Sequence, residues 1–256
     1  MVRIGETQII ASVNFSVGTA HVTNTNTSTS NSNSNVRGEV DVVFDYAFHT
    51  PPQHTSATDD VVMTSAEAIQ GFLTKTFHQS QGTIFDLRTL HIANHLAWKV
   101  TINLVCLNYD GNVLDAAMLA AVAALTDSSL PGYSYDEDGL VNFTSSNDNN
   151  GGNKTCNNLQ LVRTPISLTI GIFNDDNSTC NNERKFIVDP TAEEEAVLSG
   201  SVTVLMSAEG MLLDVLKCGG ASFSGIISAE ELAMCMQLGI GRAKEVSDIL
   251  CGGVSE

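Results

Sequence analysis

Residues 102–125, INLVCLNYDGNVLDAAMLAAVAAL, decide the fold. Val100, Ile102 and Leu104 alternate with their neighbours at the period of two that marks a strand with one face on a core. That strand is predicted from Trp98 to Leu107. Asp110-Gly111-Asn112 then supplies turn chemistry. Asn112 with Asp115 three residues later resembles a capping box at the front of a helix. The helix over Val113–Leu125 is apolar nearly all round, so it is predicted to be buried rather than to lie on a surface. Its alanines let neighbouring backbones come close.

Upstream, Val2 and Ile4 lead through the tight turn Gly5-Glu6 into a returning strand, Ile9–Val17. A chain that opens inside a hairpin is expected to continue upstream of Met1 in the native protein. A strand over Glu39–Tyr46 follows, then a loop with Pro51-Pro52, then a helix from about Asp59 to Phe77 carrying Val62, Ile69, Leu73 and Phe77. Three Asn/Ser/Thr-rich inserts, at about 21–38, 144–158 and 174–184, contain little to bury. Each lies between apolar segments, so they are expected as surface loops of one domain spanning 1–256.

Downstream, Leu159–Phe173 reads as strands broken near Pro165, and Lys185–Val188 as a further short strand. From Leu198 to Met206 the period of two puts Leu198, Gly200, Val202, Val204 and Met206 on one face, with Ser199, Ser201 and Thr203 on the other. A loop at Ser207–Gly210 returns the chain through Met211–Lys217. Ser228-Ala-Glu-Glu231 is a capping box, and Leu232, Met236, Ala243, Val246 and Leu250 are the inward positions of the helix it opens. Strands then helix, repeated with antiparallel hairpins, predict an α+β fold.

Composition narrows the function. Apolar residues make up 43% of the 256 residues, enough for a full core. Twelve Lys and Arg stand against 29 Asp and Glu, a formal charge of −17, and the basic residues are scattered. Phosphate affinity rests on clustered cations, so stand-alone nucleic-acid binding is disfavoured. No apolar run is long enough for a membrane-spanning helix. The six cysteines form no C-x-x-C pair, which argues against zinc and for free thiols.

The stretch VDPTAEEEAVLSGSVTVLMSAEG, 188–210, poses the sharper question. Asp189, Glu193, Glu194 and Glu195 have the density of a metal-binding cluster. They are also what a helix front requires: Asp189 as cap, Pro190 at the first helical position, and glutamates where the helix dipole favours negative charge. The hydroxyls of the next strand are weak Mg²⁺ ligands. The helix-front reading is preferred, and no metal or cofactor is expected. His91 and His95 are four apart in a segment leading into a strand, where that spacing is about 13 Å. With His78 they are read as surface histidines rather than as the metal site of an unrelated binding module.

Taken in order, INLVCLNYDGNVLDAAMLAAVAAL (102–125), RTPISLTIGIF (163–173) and IVDPTAEEEAVLSGSVTVLMSAEG (187–210) resemble the RNase PH-type subunits of the RNA exosome. The resemblance runs from residue 2 to about 247, broken by the inserts, and implies an RNase PH-like fold (ribosomal protein S5 domain 2-like) of mixed sheets packed with helices. Relative to that family the chain is N-terminally shorter, lacking an R-x-D-G-R-like element. Active members carry a D-G-G-T-R-like motif; here Asp110-Gly111-Asn112-Val113-Leu114 stands in its place, so Leu114 occupies the arginine position. Active members also carry two carboxylates, where this chain has Glu195 and Ser201. An apolar side chain cannot clamp an anion.

The resemblance therefore implies a non-catalytic ring subunit, outside the membrane, paired with other RNase PH-type subunits in a hexameric ring under S1-type caps. RNA would thread the assembled pore, and the protein would work in the nucleus, nucleolus and cytoplasm. Arg88, Lys99 and Arg163 are the candidate RNA contacts. The competing expectations are an active phosphate-dependent 3′→5′ exoribonuclease and a subunit that completes a partner's active site.

Overall fold

The computed structural model describes residues 1–22, 36–48, 62–78, 84–93, 95–135, 141–144, 159, 161–174, 184–219 and 227–252. Strands β1 (Val2–Ile4) and β2 (Thr7–Thr19) form the predicted hairpin, turning at Gly5 with φ +55°. A short ladder of β3 (His21–Val22) and β4 (Val36–Arg37) flanks the first insert, whose residues 23–35 lie outside the described set. Strand β5 is Glu39–Tyr46, as the alternation predicts.

Helix α1 is Ala66–Phe77. It starts later than the expected Asp59, because Ser65 is the residue that caps it: Ala68 N–H donates to Ser65 Oγ at 3.1 Å. Residues 59–61 lie outside the described set. Strand β6 (His91–Ala93) turns back through His95 into β7 (Leu96–Asn108). The first sheet runs β1-β2-β7-β5, with β5 parallel to β7 and β6 also on β7.

After α2 (Val113–Thr126), the pair β8 (Gly132–Tyr135) and β9 (Val141–Thr144) precedes a second sheet. That sheet is antiparallel, in the order β11 (Arg184–Val188), β10 (Pro165–Asn174), β12 (Gly200–Ser207), β13 (Leu212–Gly219). The short helix α3 (Ala192–Glu195) bridges β11 and β12, and α4 (Ala229–Gly252) covers β10 and β12. Among the described residues no helix is long and apolar enough to cross a membrane.

Helix α2 packs on β2 and β7 of one sheet and on β10 of the other. That is why it is apolar all round: every face meets a layer. Ten of its fourteen residues are buried. The hydroxyl side of β12 is buried as well: Thr203 Oγ1 lies 2.9 Å from Thr169 Oγ1, which also bonds Asp115 of α2, and all eight β12 residues have lost solvent. The capping box on α4 is present in both directions, Ser228 N–H to Glu231 Oε2 at 2.7 Å and Glu231 N–H to Ser228 Oγ at 3.1 Å. Ala243 and Val246 face inward, joined by Cys235, while Leu232 and Met236 are half-buried.

Candidate functional site

The two quoted motifs meet. Gly111, in the turn before α2, has φ +88°, and a Cβ placed there would lie 2.4 Å from the carbonyl oxygen of Pro190. Glycine is required twice over, by conformation and by the close approach of residues 190–192. Thr7 fixes the turn from the other side, donating from Oγ1 to Gly111 O at 2.7 Å and accepting from Asp110 N–H at 2.9 Å.

The acidic stretch begins its helix two residues later than expected. Thr191, not Asp189, is the cap, and Thr191 with Glu194 forms a capping box. Asp189 is displaced from that role because it takes a left-handed backbone, φ +57°, and accepts a hydrogen bond from Asn112 Nδ2 at 2.5 Å. Asn112 is itself left-handed, φ +46°, and makes no side-chain cap to α2, so the predicted Asn112–Asp115 box is absent. Both side chains are spent on tertiary contacts instead.

Glu195 is 1% exposed. Its Oε1 accepts from Asn112 N–H at 2.8 Å, and its Oε2 accepts from the Tyr109 hydroxyl. Burial pushes its carboxyl above the usual range, with the two hydrogen bonds opposing. Burial likewise raises the Tyr109 phenol, next to the Glu195 charge. Glu195 thus satisfies a backbone donor at the front of α2 and is no open catalytic carboxylate.

Leu114 is 2% exposed and belongs to the main apolar core. Ser201 is buried in β12. The three positions singled out by sequence do not converge on one open site: two are sealed in packing and one is a structural acceptor. Asp115 of α2, which sequence reasoning took for a cap, is 6% exposed and lines a cleft. Its Oδ2 accepts from Thr169 N–H at 2.7 Å and its Oδ1 from Thr169 Oγ1 at 3.0 Å. Burial raises this carboxyl too, against those bonds. A lone carboxylate in an otherwise apolar helix was the signal that could have exposed it.

Asp115 and Asn112 form one wall of a cleft of about 430 Å³. Asp189 stands at its edge, and α4 closes it with Gln237, Gly241, Arg242 and Glu245. Three carboxylates and one guanidinium line it, and Arg242 faces Glu245 at 3.8 Å. Such a lining repels anions.

The candidate RNA contacts sit elsewhere, and Arg88 and Lys99 are already engaged. Arg88 is exposed and grips Asp86 with two bonds of 2.9 Å. Lys99 lies 3.4 Å from Glu39 and 3.9 Å from Asp41. Arg163 is half-buried just ahead of β10. Of the histidines, His78 ends α1, His91 lies on β6 and His95 is exposed in the following turn.

A family model described as the 3′ exoribonuclease family, domain 1, matches residues 1–131, and its domain 2 matches 163–242. Exosome complex component Rrp42 of Thermococcus onnurineus is 29% identical over 158 residues, 61% of this chain and 50% of that protein. Exosome complex component rrp43 of Schizosaccharomyces pombe is 27% identical over 163 residues, 63% of this chain and 54% of that one. RRP45A of Arabidopsis thaliana is 30% identical over 165 residues, 62% and 47% respectively. The chain spans about half the length of these curated relatives. Differently named subunits match at nearly equal identity. In three dimensions, an archaeal exosome core chain superposes with a TM-score of 0.63 at 20% identity, covering 97% of this chain and 78% of that one. A chain of the Archaeoglobus fulgidus exosome with RNA bound to the active site gives 0.63 at 19%, covering 96% and 80%.

Proposed function

Because the chain belongs to the 3′ exoribonuclease family through both of that family's domains, we propose that it is a non-catalytic ring subunit of the RNA exosome. In this role it supports 3′→5′ RNA processing and degradation by holding a place among RNase PH-type partners under S1-type caps, in the nucleus, nucleolus and cytoplasm. RNA passes through the assembled pore and is cut by other means.

The observation that carries the non-catalytic reading is the burial of Leu114, 2% exposed in the main core where the resemblance puts an arginine. Phosphorolysis needs a cationic clamp on inorganic phosphate and on the charge that develops at the scissile phosphodiester. Here Leu114 is turned into the core, and the cleft beside α2 sets Asp189 and Glu245 against Arg242 alone. The large negative charge, −17, suits a subunit seated among more basic neighbours.

The ring role is tested by isolating the tagged protein from native extract and identifying the chains that co-purify. RNase PH-type and S1-type subunits in fixed ratio support it. A chain that elutes without any of them contradicts it.

A further inference from the structure

One side of the first sheet faces the core and the other is open. On β7, Val100, Ile102, Leu104 and Cys106 are buried, while the residues between them point the opposite way. The register sets Ile10, Val105 and Asp45 in one row across the open side. Val43 lies two residues along β5 from that row, and Leu107 two residues along β7. Ile10, Val43 and Leu107 are 43%, 41% and 41% exposed, so these side chains form an apolar patch on an uncovered sheet. At the far end of the face Lys99 sits against Glu39 and Asp41. Asp45 has no such neighbour. Its Oδ1 accepts from Tyr46 N–H at 2.8 Å, and among the described residues no cation pairs with it. Lys99 is three rows away, about 20 Å along the strands.

From this we infer that the open face docks a basic amphipathic helix of a partner protein. Its apolar stripe lies on Ile10, Val43, Val105 and Leu107, and a lysine or arginine beside that stripe meets Asp45. An exposed apolar patch rimmed by polar side chains is the mark of a contact surface, and the unbalanced carboxylate sets the sign of what it contacts. A helix fits rather than a strand, because β7 commits its backbone donors and acceptors to β2 and β5 on either side. Those two strands stand about 10 Å apart, the width of a helix with its side chains. A second copy of this chain is the wrong occupant, since it brings the same carboxylates and a net charge of −17. RNA is repelled for the same reason.

The test is titration of the full ¹⁵N-labelled chain, following the backbone amides of Val43, Asp45 and Val105. The probe is a blocked helical peptide, Leu-Lys-Lys-Leu-Leu-Lys-Leu in tandem. It is compared with a peptide of equal charge carrying serine for leucine, one carrying glutamate for lysine, and oligo(A). The leucine–lysine peptide should give saturable shifts at these amides that weaken with salt, and the other three none that saturate. Asp45→Asn should weaken binding by about threefold, the scale of one surface charge pair. Val43→Ser should weaken it by about fivefold through lost apolar contact. Asp214→Asn, on the second sheet, should leave it unchanged. Absence of saturable shifts, equal response to any of the other three probes, or indifference to both face substitutions would overturn the inference. So would shifts of the same amides on dilution without peptide, which would give the face to a second copy of the chain. The ring role is tested separately, by co-purification.

Discussion

Leu114→Arg would place a cation where the resemblance puts the motif's arginine, yet it should destroy the fold rather than restore a function. Leu114 is 2% exposed in the main core. Removing a buried leucine side chain costs about 2–5 kcal/mol, and an uncompensated buried charge adds roughly 3–5 kcal/mol. The sum rivals the whole stability of an ordinary domain, about 5–15 kcal/mol. Leu114→Met, which keeps volume and polarity, should cost less than about 1.5 kcal/mol. The sole tryptophan, Trp98, is 4% exposed in the same core, so its fluorescence during urea unfolding reports both variants. The arginine variant should be insoluble or unfolded without denaturant, while the methionine variant unfolds near the parent midpoint. A soluble arginine variant with a midpoint close to the parent's would mean that position 114 reaches solvent or the cleft, and the reasoning would fail.

Other perturbations probe the junction around α2. Gly111→Ala should destabilise by about 1–3 kcal/mol or more, because its Cβ meets the Pro190 carbonyl at 2.4 Å and its φ is +88°; thermal melting measures it. Thr191→Ala removes the capping box on α3 and should cost about 1 kcal/mol, read by chemical denaturation. Asp115 and Glu195 both have carboxyls raised by burial, so the folded state holds protons that the unfolded state releases near pH 4. Stability should therefore fall as pH rises from about 4 through the raised folded-state values. Glu195→Gln should flatten that slope, and a variant with an unchanged slope would remove Glu195 from the explanation.

Much of the fold was written in local pattern. Glu39–Tyr46, the strand at 98–107, the apolar helix and the Ser228–Glu231 box depend on neighbours within a few residues, and all are found. What sequence could not disclose depends on partners far along the chain. Asp189 looks like a helix cap until Asn112, 77 positions away, claims its side chain. Asn112 looks like a cap for the same reason and fails for the same contact. Nothing local reveals that the hydroxyl face of β12 is buried, with Thr203 hydrogen-bonded to Thr169 beside Asp115. The cleft needed α4 to be folded back beside α2, a juxtaposition of residues more than a hundred positions apart.

The most direct measurement is release of nucleoside diphosphate from oligo(A) by the purified chain, with Mg²⁺ and inorganic phosphate present. A cleft lined by Asp115, Asp189 and Glu245, with Leu114 packed in the core, predicts no turnover above a no-protein control at any phosphate concentration. Phosphate-dependent release that disappears on Glu195→Gln or Asp189→Asn would contradict it, because the acidic segment would then be serving catalysis rather than closing the front of α2.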